Sequence, residues 1–360
     1  MADMLIKELS DDELEIYSRQ IVLTDIGYEG QLKLLNAKVC LVGLGGLGCP
    51  AALQLAAMGI GYLRIIDRDV IERSNLQRQT LYDINSLYYP KVEIAAKKLS
   101  QLNPNIKIDP IPASLNADNS EEMIKGMDVV VDGLDAIEPR YALNWACVKH
   151  KVPYVFGAAI EAYGNVSTII PGETPCLECF SGGLTDEMLP TCGVVGVHPS
   201  LPSIISSLEV SEAVRIILGK RPHLLNSLLY CDLRNFSFEK IKIARRENCQ
   251  VCGSNSKLTV KRKFLEEICG RSGKKTHVIN PRRNLDLSMD DLYSLIKDKG
   301  LNVRVKANLG ITFDYSPKIT LSALKSGTMI IEGASDKEQA MNLYKEIIAK
   351  GLKIPWSNID

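Results

Sequence analysis

The stretch Lys38-Val39-Cys40-Leu41-Val42-Gly43-Leu44-Gly45-Gly46-Leu47-Gly48 constrains this chain more than any other. A short apolar run entering a cluster of glycines reads as a buried strand that turns sharply into a helix. Gly43, Gly45 and Gly48 fit G-x-G-x-x-G, with Gly46 inside the turn. The first glycine allows the tight turn, the second lets a phosphate approach the backbone, and the third lets the helix pack on the strand. The helix, expected to run through about Met58, offers unpaired N–H groups and a positive dipole end to an anion. A second apolar strand, Leu63 to Ile66, leads to Asp67, at about the 20-residue distance of a ribose-binding carboxylate. The pattern alone says that a nucleotide binds. A tight turn that binds nothing shares this outline, and so does a nicotinamide-dependent dehydrogenase.

The segment after Asp67 narrows the choice. It holds Asp69, then Asn75-Leu76-Gln77-Arg78-Gln79, then Lys91 at the start of a helix. A nicotinamide cofactor has only a pyrophosphate to hold, whereas a triphosphate losing pyrophosphate needs more donors. Arginine can fork two phosphate oxygens and lysine can act as a point charge on the departing group. The Lys91 helix stops at Asn103-Pro104, because proline disfavours helix in the residue before it. A strand (Ile106 to Ile108), a short helix (Ser120 to Lys125) and a buried strand (Val129 to Val131) follow. Alternating strands and helices mark a doubly wound, mostly parallel α/β sheet. Asp135 then falls at the carboxyl end of a strand, where ligands of such sheets gather. It is either a magnesium carboxylate or the cap of the next helix, Pro139 to Lys149.

Composition fits a soluble protein. The 360 residues suggest about two domains. Lys plus Arg and Asp plus Glu number 43 each, so no polyanion such as nucleic acid is expected as main partner. The first residues lack a basic start and apolar core, and no run approaches the ~18 apolar residues of a membrane span. A cytoplasmic location is expected. In that reducing compartment the ten cysteines are read as metal ligands, nucleophiles or core, not disulfides. Cys176-Leu177-Glu178-Cys179 and Cys249-Gln250-Val251-Cys252 are two C-x-x-C knuckles, which predicts a closed, structural four-cysteine zinc site stapling two distant segments. Between them Leu189 to Pro199 is rich in glycine and proline and carries a lone Cys192, either a nucleophile or a small apolar residue. Cys40, Cys49, Cys147, Cys231 and Cys269 sit singly in apolar surroundings and read as core.

At the start, Ser10-Asp11-Asp12-Glu13 is a capping box, opening a helix with Leu14, Tyr17 and Ile21 on one face. Gly27 and Gly30 are expected to break it before a short helix from Gln31 to Leu35. Arg19 on this helix reads, from pattern alone, as a surface cation. A long helix from Ile204 to Leu218 ends at Gly219, and strands follow near Leu228 to Cys231 and Phe236 to Ile243. Gly253-Ser254-Asn255-Ser256 looks like a domain boundary, dividing 1–255 from 256–360. Beyond it, alternating strands at Val303–Val305, Ile311–Tyr315, Ile319–Leu321 and Met329–Ile331 are flanked by helices from Met289 and from a second capping box, Ser335 to Glu338. This predicts a small α+β domain with an antiparallel sheet and no catalytic cluster of its own.

Taken together these pieces resemble the superfamily of MoeB, ThiF and ubiquitin-activating enzymes, from about Ser10 to Gly253. Arg19-Gln20-Ile21, the glycine loop, Asp67 with Asp69, Asn75 to Gln79, Lys91, Asn103-Pro104, Asp135 and both cysteine pairs stand in the family's order. The resemblance implies ATP and magnesium as cofactors, and adenylation of the C-terminal glycine carboxylate of a ubiquitin-like protein ending in Gly-Gly, with release of pyrophosphate. Asp67 would hold the ribose, Asn75, Arg78 and Lys91 the triphosphate, and Asp135 the magnesium. Arg19 would reach the phosphates of the other subunit in a homodimer, which overturns its reading as a surface cation. Cys192 matches the crossover-loop cysteine that forms a thioester in members passing the acyl group onward. In MoeB-like members, which serve sulfur transfer for molybdopterin, thiamine or thiolated tRNA, that cysteine is dispensable. Where the family often has asparagine after the magnesium aspartate, this chain has Ala136. The residues after Gly253 do not resemble a rhodanese-like tail, so no persulfide is expected from them. The C-terminal domain lies where ubiquitin-type members dock a conjugating enzyme.

Overall fold

The computed structural model describes residues 8–189, 192–254, 263–268 and 275–360. Strand β1 (Lys38–Val42) shows why the sequence folds as it does. Val39 and Leu41 point into one apolar core, and Cys40 and Val42 into another on the opposite face. A strand buried on both faces belongs inside a parallel sheet. The strands that follow are β2 (Tyr62–Ile66), β3 (Lys107–Ile111), β4 (Val129–Asp132), β5 (Tyr154–Ile160), β6 (Tyr163–Ile169), β7 (Ser227–Asp232) and β8 (Ser237–Lys242). They form one eight-stranded sheet in the order β3-β2-β1-β4-β5-β6-β7-β8. Strands β1 to β5 are mutually parallel, and β6 to β8 extend the sheet antiparallel.

Helices Gly48–Ala57, Lys91–Leu102 and Ser200–Ile217 cover one face, and Ser120–Ile124 and Ile137–His150 cover the other. The chain winds outward from β1 to β3 and then returns to lay β4 against β1. The strand order therefore reverses beside the glycine loop, and a crevice opens there at the carboxyl ends.

Two glycines of the loop are required by contact. Gly43 has φ +94°, and a Cβ there would lie 2.3 Å from the Gly133 carbonyl oxygen at the exit of β4. A Cβ on Gly48 would lie 1.9 Å from the Gly43 carbonyl oxygen. Gly45 differs, since a Cβ there meets only Gln79 Nε2, at 3.8 Å. Its outer side is open for a ligand.

A second sheet is antiparallel throughout. Its strands are β9 (Leu265–Ile268), β10 (Thr276–Ile279), β11 (Asn302–Lys306), β12 (Gly310–Asp314), β13 (Thr320–Leu324) and β14 (Met329–Glu332), in the order β11-β12-β13-β14-β10-β9. One face packs against helices Met289–Asp298 and Lys337–Tyr344. The other lies on the segment after Asp67. Val278 and Ile330 pack on Val70, Thr312 Oγ1 donates to the Tyr88 carbonyl (2.9 Å), and the Asn308 and Leu309 N–H groups donate to the Glu93 carboxylate (3.0 and 2.7 Å).

Several expectations change. The first capping box forms, but its helix breaks at Tyr17 into Asp11–Ile16 and Ser18–Ile21, and Leu14 is exposed. Tyr17 is drawn inward by the Asn103 side-chain amide, which donates to its hydroxyl (2.8 Å). Gly30 does not break a helix; it lies within Gly27–Asn36. The cap near residue 335 is Asp336, whose carboxylate accepts the Gln339 N–H (2.8 Å), one residue later than expected. The second sheet gains β9 and β10. Cys40, Cys49, Cys147 and Cys231 are buried as expected, and Cys269 lies outside the described residues. Among the described residues no helix is long and apolar enough to cross a membrane.

Candidate active site

Asp67, the first residue after β2, ties the crevice together. Its Oδ2 accepts the Leu44 N–H of the glycine loop and its Oδ1 accepts the Asp69 N–H, both at 2.6 Å. Burial pushes the Asp67 carboxyl up from the ordinary carboxylate range, and Lys91 pulls it down. Lys91 opens its helix with only 3% of its surface exposed, and its ammonium lies 2.9 Å from Asp69 Oδ2. An ammonium taken out of water needs charged partners. Asp69 is one such partner, and the open side of the glycine loop is where an anion would add another.

The turn at 72–79 brings the amide and guanidinium groups over the loop. Buried Asn75 closes it, accepting the Glu72 N–H on Oδ1 (3.1 Å) and the Arg78 and Gln79 N–H groups on its carbonyl. The Arg78 side chain then lies over Gly46, its Cδ 3.5 Å from where a Cβ would stand. Gln79 is 3% exposed, faces Gly45, and its Oε1 has no hydrogen-bond partner among the described residues. A buried, unpaired polar atom beside an open glycine fits a site completed by a polar ligand.

Asp135 stands exposed just past β4. The alternative that it caps the next helix does not hold. Helix Ile137–His150 has Ala136 at its cap position, and Asp186 accepts the Ile137 N–H (2.6 Å). Asp135 is held in place from beneath. Buried Arg140 donates from Nη2 to the carbonyls of Leu134 (2.5 Å) and Gly157 (2.7 Å), and from Nε to Asp132 (2.9 Å). The Tyr154 hydroxyl also donates to Asp132. The sequence reading missed Arg140, Asp132 and Asp186. The one available signal was Asp132 itself, a charge at the end of an apolar run that would need a partner if buried.

Two predicted residues sit apart from this cluster. Arg19 is exposed on the Ser18–Ile21 turn, while its neighbour Tyr17 packs against Gly59, just past the far end of helix Gly48–Ala57. At 1.5 Å per residue that end lies about 15 Å from the glycine loop. Cys192 begins the short helix Cys192–Val195, and its side chain lies outside the described residues. The backbone just after this helix is fixed at the end of β5, since the Glu161 N–H donates to the Gly196 carbonyl (3.0 Å) and the His198 N–H to the Glu161 carbonyl (2.6 Å). That edge of the sheet is the one carrying Asp67 and Asp135.

The cysteine knuckles meet as predicted. The sulfurs of Cys176, Cys179, Cys249 and Cys252 all lie within 4.8 Å of one another, with neighbouring pairs at 3.4, 3.6 and 4.0 Å. Four sulfurs about 2.3 Å from a tetrahedral zinc stand about 3.8 Å apart, so the cluster fits that ion. Backbone N–H groups of Arg246 and Val251 approach Cys179 and Cys249 sulfurs at 3.5 Å, as suits thiolates.

Comparison with known proteins identifies the family. The family model described as "ThiF family" matches residues 17–251. A SAMP-activating enzyme E1 of Haloferax volcanii is 37% identical over 246 residues, covering 68% of this chain and 91% of that protein. An adenylyltransferase and sulfurtransferase MOCS3 of Culex quinquefasciatus is 35% identical over 306 residues, 83% of this chain and 69% of that protein. Among solved structures, E. coli MccB superposes with a TM-score of 0.61 at 23% identity, covering 70% of this chain and 75% of that one, a likeness of fold. By sequence, the chain belongs to the ThiF family, within the superfamily of MoeB and ubiquitin-activating enzymes.

Proposed function

We propose that this protein uses ATP to adenylate the C-terminal carboxylate of a ubiquitin-like or sulfur-carrier protein. The observation that carries the reading is the convergence of Gly45, Asp67, Arg78, Gln79 and buried Lys91 at one crevice, with Asp135 at its edge. A nicotinamide cofactor would leave Lys91, Arg78 and Asp135 without work. The carboxylate attacks the α-phosphorus, a bond to phosphorus forms, and the bond to pyrophosphate breaks. The nucleophile is already ionised, so no strong base is required and catalysis rests on position and charge.

Asp67, freed from neither backbone donor, turns its remaining lone pairs to the ribose hydroxyls. Arg78 and Lys91 take the charge on the leaving phosphates. Asp135 and phosphate oxygens would hold magnesium, which supplies further neutralisation of the triphosphate. Zinc on Cys176, Cys179, Cys249 and Cys252 is structural. A homodimer, common among soluble proteins, would let Arg19 of one copy serve the site of the other, consistent with its distance from the site in its own chain. We divide the chain at 255/256, a boundary that lies outside the described residues, and the position of the second domain supports a docking role for a conjugating enzyme. Cys192 would receive the activated acyl group as a thioester, AMP leaving.

The test is ATP–pyrophosphate exchange with and without a ubiquitin-like protein ending in Gly-Gly, followed by a non-reducing gel. Exchange that depends on that protein, with an adduct lost in Cys192→Ala, establishes modifier activation. Exchange without an adduct moves the protein to the sulfur-carrier role. No exchange with any candidate overturns adenylation for those partners. The loop supplies a paired control. Gly48→Ala forces a Cβ against a carbonyl and is expected to cost about 1–3 kcal/mol, seen as a lower thermal midpoint. Gly45→Ala has room in the fold, so it should keep its midpoint and lose nucleotide affinity. Equal midpoint losses in both would contradict the open face at Gly45.

A further inference from the structure

The three parts of a nucleotide bound in this crevice follow the order of the strands. The glycine loop leaves β1, Asp67 leaves β2, and β3 is the next strand and the edge of the sheet. Neighbouring strands lie about 4.8 Å apart. Phosphates at the first and ribose hydroxyls at the second therefore carry the base past the carboxyl end of β3.

Groups from both domains meet at that place. Arg68 directly follows Asp67, and its Nη1 donates to Ser114 Oγ (2.9 Å) in the loop after β3. The same nitrogen donates to Glu266 Oε2 (2.8 Å) on β9 of the second domain. Glu266 is fixed from behind by the Asn280 amide, which donates to Oε1 (2.7 Å). Nearby, Ser326 Oγ between β13 and β14 donates to the Pro112 carbonyl (2.6 Å) of the β3 loop. The Arg68 and Glu266 side chains are 24% and 25% exposed, so the pair borders open space. Among the described residues Arg68 Nε and Nη2 have no hydrogen-bond partner. A guanidinium pinned at one nitrogen offers a flat face for stacking and free donors for ring nitrogens.

We infer that Arg68 binds the purine base and that Glu266, reaching across from the second domain, is the positioning residue that holds it there. The second domain thereby forms the outer wall of the base end of the site. This inference rests on the ATP reading above.

The test uses the full chain with Glu266→Ala, Glu266→Gln and Ser326→Ala. Affinity for ATP and for inorganic tripolyphosphate is measured by calorimetry, and KM for ATP and kcat by pyrophosphate exchange. Loss of a hydrogen bond to a charged group predicts that Glu266→Ala weakens ATP binding and raises its KM roughly tenfold. Tripolyphosphate affinity and kcat at saturating ATP stay at the wild-type level, and Glu266→Gln, which can still accept from Arg68, recovers part of the loss. Equal weakening of ATP and tripolyphosphate, or a fall in kcat with unchanged KM, overturns the assignment. So does a Ser326→Ala variant that matches Glu266→Ala, because that change loosens the domain contact without touching Arg68. Wild-type protein that binds no ATP and supports no exchange sinks the adenylation reading itself; wild-type binding with an indifferent Glu266→Ala sinks only this inference.

Discussion

Lys91→Ala is expected to lower ATP–pyrophosphate exchange by at least about 10³-fold, the scale of losing a pre-aligned charge that faces a leaving group. The size follows from burial. Lys91 is 3% exposed, so its field at the leaving phosphate would be weakly screened by water. The same change leaves Asp69 without its lysine partner, and breaking a buried pair from one side costs about 3–5 kcal/mol. A dead enzyme could then be merely an unfolded one. The double variant Lys91→Met with Asp69→Asn separates the two, since it removes both charges and should recover most of the thermal midpoint while exchange stays absent. Recovery of exchange in the double variant would contradict a catalytic role for Lys91. A role for Arg19 across a subunit interface can be read in the same assay. Mixing Lys91→Ala with Arg19→Ala protomers should restore about a quarter of wild-type exchange if Arg19 acts across a two-fold interface, since half the dimers hold one intact site. No restoration from two inactive variants would place Arg19 in the site of its own chain, and an active Arg19→Ala protein would place it outside the site.

Removing the metal is expected to have the largest effect on stability. The purified protein should carry about one zinc per chain, and chelation or Cys176→Ser should lower the thermal midpoint by more than about 10 °C. Closed four-cysteine sites contribute folding free energy outright, about 10–16 kcal/mol in small zinc peptides. Here the tetrad joins the segment after β6 to the segment after β8, and its sulfurs are part of the core on the Ile137–His150 face. A metal-free preparation with an unchanged midpoint would remove the structural assignment, and iron in place of zinc would show as visible absorption.

Both predictions concern residues that could be read from the sequence, because their spacing is local. Three glycines, an acid at the end of the next strand and two C-x-x-C pairs each encode their geometry within a few residues. The parallel sheet was legible for a similar reason, since Val39 to Val42 of β1 and Val129 to Val131 of β4 are uninterrupted apolar runs. What stayed hidden depends on distant partners. Arg68 and Glu266 are 198 residues apart, and Asp186 caps a helix 49 residues before it. Strand β9, Leu265-Glu266-Glu267-Ile268, carries two adjacent charges and no apolar alternation, so its place in a sheet comes only from pairing with β10. Nothing near Arg140 in sequence marks it; Asp132 and two carbonyls close around it only in the fold.

The four-cysteine cluster also sets an order of events during synthesis. Cys176 and Cys249 are 73 residues apart, and translation proceeds at about 5–20 residues per second. For several seconds each nascent chain carries Cys176 and Cys179 as a half-built ligand pair, with β7 and β8 still unmade. A metal ion held by all four sulfurs can be bound only once Cys252 has cleared the ribosome.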